Sequence, residues 1–420
     1  MYRKFKLSNG TRIIMEKIPH VKSISLGIWV NVGSVDETAE NNGITHFIEH
    51  MLFKGTKNRS AKDIAAAIDD IGGQINAFTG KECTCYYAKV LDSHINIAVD
   101  VLSDMVFNSS LDEKDIEKEK NVVLEEISMY EDSPEENAHD LLFKTIYQED
   151  SLGYPILGTR DIISNLTRDK LIEYMEKFYV PENMVISVAG NFDEKYLIDM
   201  LEEKIVGTGK KENIHLIKSK NKANFNKEIG VKYKDIEQLH LCIGLESFSM
   251  GSENVYPLLV MNTIFGGSMS SRLFQNIRED KGLAYSVFSY PTSYRNSGIF
   301  TIYAGINPKQ LERVCSSIKE EINLIKNKGL RKEELLKAKE QLKGNYILGL
   351  EGTSSRMMGI GKSELLLNRV YTQKEVLDKI DNIEMDHIKK VIDKIFSKDN
   401  MSVSLVGNID NEINIKQYLY

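Results

Sequence analysis

The segment NMVISVAGNFD at 183–193 returns near the end of the chain as NMSVSLVGNID at 400–410, with Gly190 and Gly407 lying 217 positions apart. A second echo keeps the same offset: SLGIWV around Gly27 and HLCIGLE around Gly244. Two echoes at one spacing, about half of the 420 residues, point to a duplicated structural plan. A single hydrophobic core would also be overstretched by a chain of this length. Residues 207–228, GTGKKENIHLIKSKNKANFNKE, are rich in lysine and asparagine, carry little periodicity and read as a linker. The expected organisation is an N-terminal domain over 1–206, the linker over 207–228, and a C-terminal copy over 229–420.

Each half reads as α+β. FKLSNGTRIIMEK and SISLGIWVNVGSVDE alternate apolar and polar residues around an Asn-Gly turn, as strands do. From Gly43 to Phe53 the period becomes helical, and Gly55 sits where a closing glycine belongs. Ser60 is a suitable cap for AKDIAAAIDDI, GGQINAFTGKECTCYYAKV returns to strand character, and 94–107 and 112–131 read as amphipathic helices. The expected architecture is two duplicated domains, each a mixed or antiparallel sheet with helices packed on one face.

Bulk properties remove several functions. The net charge of −7 disfavours nucleic acid as a partner. The first residues, MYRKFKLSNGTRIIMEK, lack the apolar stretch and cleavage site of a secretory signal, and no apolar run is long enough to span a bilayer. Four cysteines, Cys83, Cys85, Cys242 and Cys315, read as structural thiols in a reducing cytoplasm. Cys83-x-Cys85 as a metal pair has no matching Cys/His pair nearby in sequence.

The chemistry concentrates in His46-Phe47-Ile48-Glu49-His50. On a helix, positions i and i+4 differ by about 40° around the axis, so both imidazoles face one way and can occupy adjacent corners of a zinc tetrahedron. Glu49 lies on nearly the same face, placed to act as a base and not as a ligand. The flanking Ile44, Phe47, Ile48, Met51 and Leu52 fit a core helix with histidines at its edge equally well. A catalytic site needs a third protein ligand. In the acidic helix LDEKDIEKEKNVVLEEISMYEDSP, Glu119 and Glu126 are seven residues apart and share a face, and Glu126 falls among Val122, Val123, Leu124 and Ile127. A carboxylate in such surroundings calls for a partner, for which zinc is suited, and Glu119 could support from behind. The corresponding stretch of the second half, ENVYPLLVMNTIF at 253–265, has neither histidine nor the motif glutamate.

These segments resemble the insulinase/pitrilysin superfamily of zinc peptidases, in particular its mitochondrial-processing-peptidase-like bacterial branch. GITHFIEHMLFKGT, GGQINAFTGKECTCYYAKV and GGSMSSRLFQNIREDKGLAYSVFSY carry the likeness, which spans nearly the whole chain. The resemblance implies Zn²⁺ held by His46, His50 and Glu126, with Glu49 as general base and Glu119 as its helper; Glu125 is the rival ligand but breaks the register of the pattern. It implies that Asn76, Ala77 and Phe78 border the site and pair with extended substrate, against an ordinary core-edge strand. It further implies that Arg278 and Tyr285 contact substrate and the tetrahedral intermediate, although Arg278 also reads as a salt-bridged helix residue. The expectation is a cytoplasmic metalloendopeptidase acting on peptides or unfolded segments, working as a homodimer with neither nucleic acid nor membrane as partner. The alternative is a non-catalytic assembly or substrate-binding subunit of the same fold.

Overall fold

Strand β1 (Tyr2–Lys6) and β2 (Arg12–Lys17) form a hairpin whose turn glycine, Gly10, has φ +104°. The computed structural model describes residues 2–206, 223–397, 400–409 and 415–419. With β3 (Ser23–Val30), β4 (Gln74–Thr79), β5 (Thr84–Leu91) and β6 (Met184–Gly190), they build a sheet of order β1-β2-β6-β3-β5-β4. Only β2 and β6 run parallel; the other neighbours are antiparallel. The second sheet has β7 (Ile229–Tyr233), β8 (Leu239–Glu246), β9 (Ala284–Ser293), β10 (Gly298–Ile306) and β11 (Ser402–Gly407), in the order β7-β11-β8-β10-β9. That is the first sheet without β1, and again one pair, β7 and β11, is parallel.

The echoes therefore mark equivalent strands. Gly190 and Gly407 close β6 and β11 with φ of +144° and +152°. A Cβ on Gly190 would stand 2.4 Å from the Ser23 carbonyl oxygen, and one on Gly407 2.8 Å from that of Gln238, so glycine is required at both ends. The repeat is not perfect in register. Gly27 pairs with Ser187, whereas Gly244 pairs with Ser402, two residues short of Ser187's counterpart, Ser404. A slip of two leaves every side chain on its original face, which is why the alternation survives it.

Helices α1 (Ile44–Leu52), α2 (Ala61–Asp69), α3 (Ile95–Asn108) and α4 (Glu113–Asp132) lie where the periodicity places them. In β3, Ile24, Leu26, Ile28 and Val30 point into the core shared with α1 and α3, while Ser25, Gly27 and Trp29 face the other way. That other face is covered too. The helix Thr353–Leu367 lies on it, with Gly361 against the Trp29 ring, Trp29 Nε1 donating to Ser187 Oγ at 2.8 Å and Ser25 Oγ 2.9 Å from Thr353 Oγ1. In the second sheet Leu239, Leu241, Ile243 and Leu245 face a separate core. Helix α5 (Pro134–Tyr147) covers the opposite face, where Ser404 Oγ donates to the Ala138 carbonyl at 2.6 Å.

The described residues of Met1–Ser128, Tyr154–Ser219 and Leu348–Thr372 form one compact unit; those of Met129–Gly153, Lys220–Ile347 and Gln373–Tyr420 form the other. Strands β1–β6 lie between residues 2 and 190 and β7–β11 between 229 and 407, while each unit also takes in a helix from the other half of the chain. Helical periodicity reveals an apolar face without saying which sheet will cover it. Of the linker 207–228, residues 207–222 lie outside the described residues, and 223–228 run without regular structure into β7. The four cysteines are buried and unbridged. Among the described residues, no helix is long and apolar enough to cross a membrane.

Candidate metal centre

Helix α1 starts at Gly43, whose φ is +95° and where a Cβ would stand 2.7 Å from the Leu157 carbonyl oxygen. Gly43 has no side chain to cap the helix, so Glu37 does it from the preceding loop. Its carboxylate accepts from the backbone N–H of Gly43 at 2.8 Å and of Thr45 at 3.0 Å, and from Asn42 Nδ2 at 2.8 Å. Glu37 is 3% exposed, and burial pushes its carboxyl up to about 7 against the pull of those donors. Ile44, Phe47, Ile48 and Met51 fill the core, which turns His46, Glu49 and His50 toward α4 and β4. The two imidazoles stack edge to face, 4.6 Å between centroids.

From α4, Glu126 Oε2 reaches 3.7 Å from His46 Nε2 and 3.4 Å from His50 Nε2. Two imidazole nitrogens and one carboxylate oxygen thus converge within 4.8 Å of one another. A tetrahedral zinc with bonds of about 2.0–2.2 Å separates its donors by about 3.4 Å, so this donor set fits the ion in both chemistry and size. Glu125 lies on the exposed side of the helix. The apolar side of α4 is narrower than the sequence implies: Val123 and Ile127 are buried, but Val122 is largely exposed.

Glu119, one helical repeat earlier, is buried and accepts from His50 Nδ1 at 2.8 Å and from Lys54 Nζ at 2.6 Å. Burial opposes ionisation of Glu119, but these two partners outweigh it and hold the carboxyl below its usual range. A carboxylate only accepts, so His50 holds a proton on Nδ1 toward Glu119, and Nε2 is the nitrogen turned to Glu126. Burial likewise works against a charge on His50, yet its bonds to Glu119 and Glu126 raise its pKa. Burial and the neighbouring His50 push His46 down, and its Nδ1 is buried without a partner. His50 is braced from behind; His46 is not.

Thr79, the last residue of β4, donates its hydroxyl to Glu49 Oε2. Burial raises the Glu49 carboxyl, with the Thr79 bond opposing it. Along β4, Ile75 and Ala77 pack on the α1 side, while Phe78 points to the opposite face and meets Trp29 edge-on at 5.7 Å. The Phe78 ring is thus turned away from the histidines. Asn76 is exposed and its Oδ1 accepts from the Ala77 N–H at 2.8 Å. Among the described residues β4 is the edge of its sheet, paired with β5 on one side.

Arg278 and Tyr285 belong to the second unit. Arg278 sits in the π-helical segment Phe274–Asp280, its guanidinium carbon 4.7 Å from the Phe274 ring centroid and 5.7 Å from that of Tyr285. Tyr285 is 77% exposed on the edge strand β9. The pair stands together, and Arg278 Nε is 3.8 Å from Glu279 Oε1, a loose ion pair. Sequence reasoning missed Glu37, Lys54 and Thr79. Lys54 and Thr79 both lie inside segments quoted for their likeness, but neither residue type signals a partner by itself.

Comparison with known proteins gives matches in both halves of the chain. Residues 12–160 match the profile described as insulinase (peptidase family M16), and residues 165–342 that described as peptidase M16 inactive domain. The chain is 46% identical to the uncharacterized zinc protease YmxG of Bacillus subtilis, over 95% of this chain and 97% of that one. Its fold matches a protease from Helicobacter pylori with a TM-score of 0.89 at 20% identity, covering 97% and 99% of the two chains. It also matches a crystal structure described as a peptidase M16 inactive domain from Pseudomonas fluorescens, with a TM-score of 0.90 at 17% identity and 98% of each chain covered.

Proposed function

The chain belongs to the insulinase family, peptidase family M16, and on that premise we propose that it is a zinc-dependent metalloendopeptidase acting on peptides or unfolded, extended segments. The observation that carries the reading is the convergence of His46 Nε2, His50 Nε2 and Glu126 Oε2, with Glu49 one residue before His50. Zinc bound by those three side chains supplies Lewis acidity, which polarises a scissile carbonyl and acidifies water. Glu49 takes the proton of the attacking water and delivers it to the leaving amine. Glu119 keeps the proton of His50 on Nδ1 and the ring aimed. The open edge of β4 receives an extended peptide through the backbone of Asn76, Ala77 and Phe78. The Arg278 guanidinium and the Tyr285 phenol are donors suited to a developing oxyanion.

The proposal extends to a cytoplasmic homodimer in which Arg278 and Tyr285 of one copy serve the zinc-bearing unit of the other. Its support is that the two groups reside in separate units and that a two-fold dimer closes such an exchange with one self-complementary contact. The alternative, a non-catalytic subunit of this fold, is disfavoured by the intact set His46, Glu49, His50 and Glu126. Metal analysis of purified protein combined with a quenched-peptide panel tests the reading. Glu49→Gln should keep its zinc while turnover falls by about 10²-fold or more. Undiminished turnover in that variant, or a zinc-loaded parent that cleaves no peptide, would sink it.

A further inference from the structure

The hydroxyl of Thr79 and the carboxylate of Glu49 come from elements 30 positions apart and meet beside the three convergent donor atoms. Thr79 is itself firmly placed. It pairs with Thr84 in the β4–β5 ladder, and the following turn closes through the Gly80 N–H on the Cys83 carbonyl at 2.8 Å. Thr84 is buried and donates its own hydroxyl to the Val32 carbonyl at 2.9 Å. Strand alternation puts Thr79 on the same face as Ile75 and Ala77, which pack into the core that α1 helps build. A β-branched side chain on a locked backbone has few rotamers, so the hydroxyl is presented in one direction. Glu49, by contrast, has three side-chain torsions and is only partly covered. Its bond to Thr79 engages Oε2 and leaves Oε1 for a proton.

We infer that Thr79 is a positioning residue for the general base, holding the Glu49 carboxylate in the one orientation from which Oε1 can exchange a proton with water. The inference rests on the metallopeptidase reading for its catalytic meaning, but the hold itself is a property of the chain. It also gives β4 two tasks. Its backbone edge is open to an extended peptide, and its last side chain fixes the base, so the strand that aligns substrate also aligns the group that acts on it.

The test compares Thr79→Val, which keeps shape and β-branching but loses the hydroxyl, with Thr79→Ser, which keeps the hydroxyl. In the zinc-loaded protein, Thr79→Val should bind zinc as the parent does and retain KM, while kcat falls by up to about 100-fold, in keeping with the cost of a misplaced catalytic group. Thr79→Ser should restore most of kcat. Added to Glu49→Gln, Thr79→Val should cause no further loss, because it acts through Glu49. Crystal structures of the two variants supply a readout free of turnover: the Glu49 carboxylate should be displaced in the valine protein and in place in the serine protein. Full kcat in Thr79→Val, an undisplaced Glu49 in its structure, or equal impairment in valine and serine variants would overturn the inference. If the parent cleaves no peptide, the metallopeptidase reading fails, and the crystal structures alone decide whether Thr79 holds Glu49.

Discussion

Nδ1 of His50 lies 2.8 Å from Oε1 of Glu119, a bond that joins two helices across 69 positions of sequence and, with an ionised Glu119, keeps a proton on that nitrogen. Lys54 Nζ, 2.6 Å from the other oxygen, keeps that carboxylate ionised and aimed. Glu119→Gln should therefore weaken zinc binding by about 10- to 100-fold while α1 stays folded. Lys54→Met should weaken it less, since the His50 bond remains. Competition against a chromogenic chelator measures both. Parental affinity in Glu119→Gln would mean that the carboxylate serves only to anchor Lys54.

The third ligand can be separated from its neighbour in sequence. Glu126 faces the two histidines, and Glu125 is turned about 100° away into solvent. Purified protein should hold one zinc per chain. Glu126→Ala, like His46→Ala and His50→Ala, should lose most of it, whereas Glu125→Ala should stay fully loaded. Elemental analysis after dialysis against dilute chelator reads the outcome, and the reverse pattern at 125 and 126 would reassign the ligand.

Glu37 should make the first unit's stability depend on pH. Burial raises its carboxyl from the ordinary 4.5 to about 7 in the folded chain. A folded pKa above the unfolded one means that folding favours the protonated form. That contribution is complete below about 4.5 and is lost as pH rises through about 7, a loss of about 3 kcal/mol. Glu37→Gln cannot titrate, so its stability should lack this fall. Trp29 is the sole tryptophan and is buried in the first unit, which makes its fluorescence a report on that unit in urea titrations of metal-stripped protein. Parallel pH slopes for parent and variant between 4.5 and 7 would show that Glu37 ionises in the folded chain as readily as in the unfolded one.

What could be read in the sequence was whatever repeats or falls on one helix. The offset from Gly190 to Gly407 led to two sheets of one order, and the i, i+4 spacing of His46 and His50 led to two imidazoles set edge to face. Glu119 and Glu126 emerged because seven residues return a side chain to the same face. The contributions that stayed hidden act across elements. Glu37 caps α1 from a loop, Thr79 reaches Glu49 from a strand, and the helix Thr353–Leu367 covers a sheet built more than 150 positions earlier. None of these leaves a periodic trace. Phe78 shows the converse: its place in a familiar segment pointed to substrate, while strict alternation along β4 turns its ring toward Trp29.

The proposed dimer makes the sharpest prediction. His46, Glu49, His50 and Glu126 lie in the first unit, whereas Arg278 and Tyr285 lie in the second, stacked together with Tyr285 open to solvent. If each working site draws on both copies, Glu49→Gln disables the base of its own first unit and Tyr285→Phe removes a donor from the site on the facing copy. Each variant alone should form an impaired homodimer. After subunit exchange, a mixed dimer would contain one site spoiled twice and one site spoiled not at all. Activity in an equimolar mixture should then rise toward about a quarter of the parent's, because half of the dimers are mixed and each has one intact site. Exchange must be verified separately, for example by energy transfer between labelled chains. A mixture as inactive as its parents after verified exchange would mean that each site is completed within one chain, and the shared-site dimer would be abandoned.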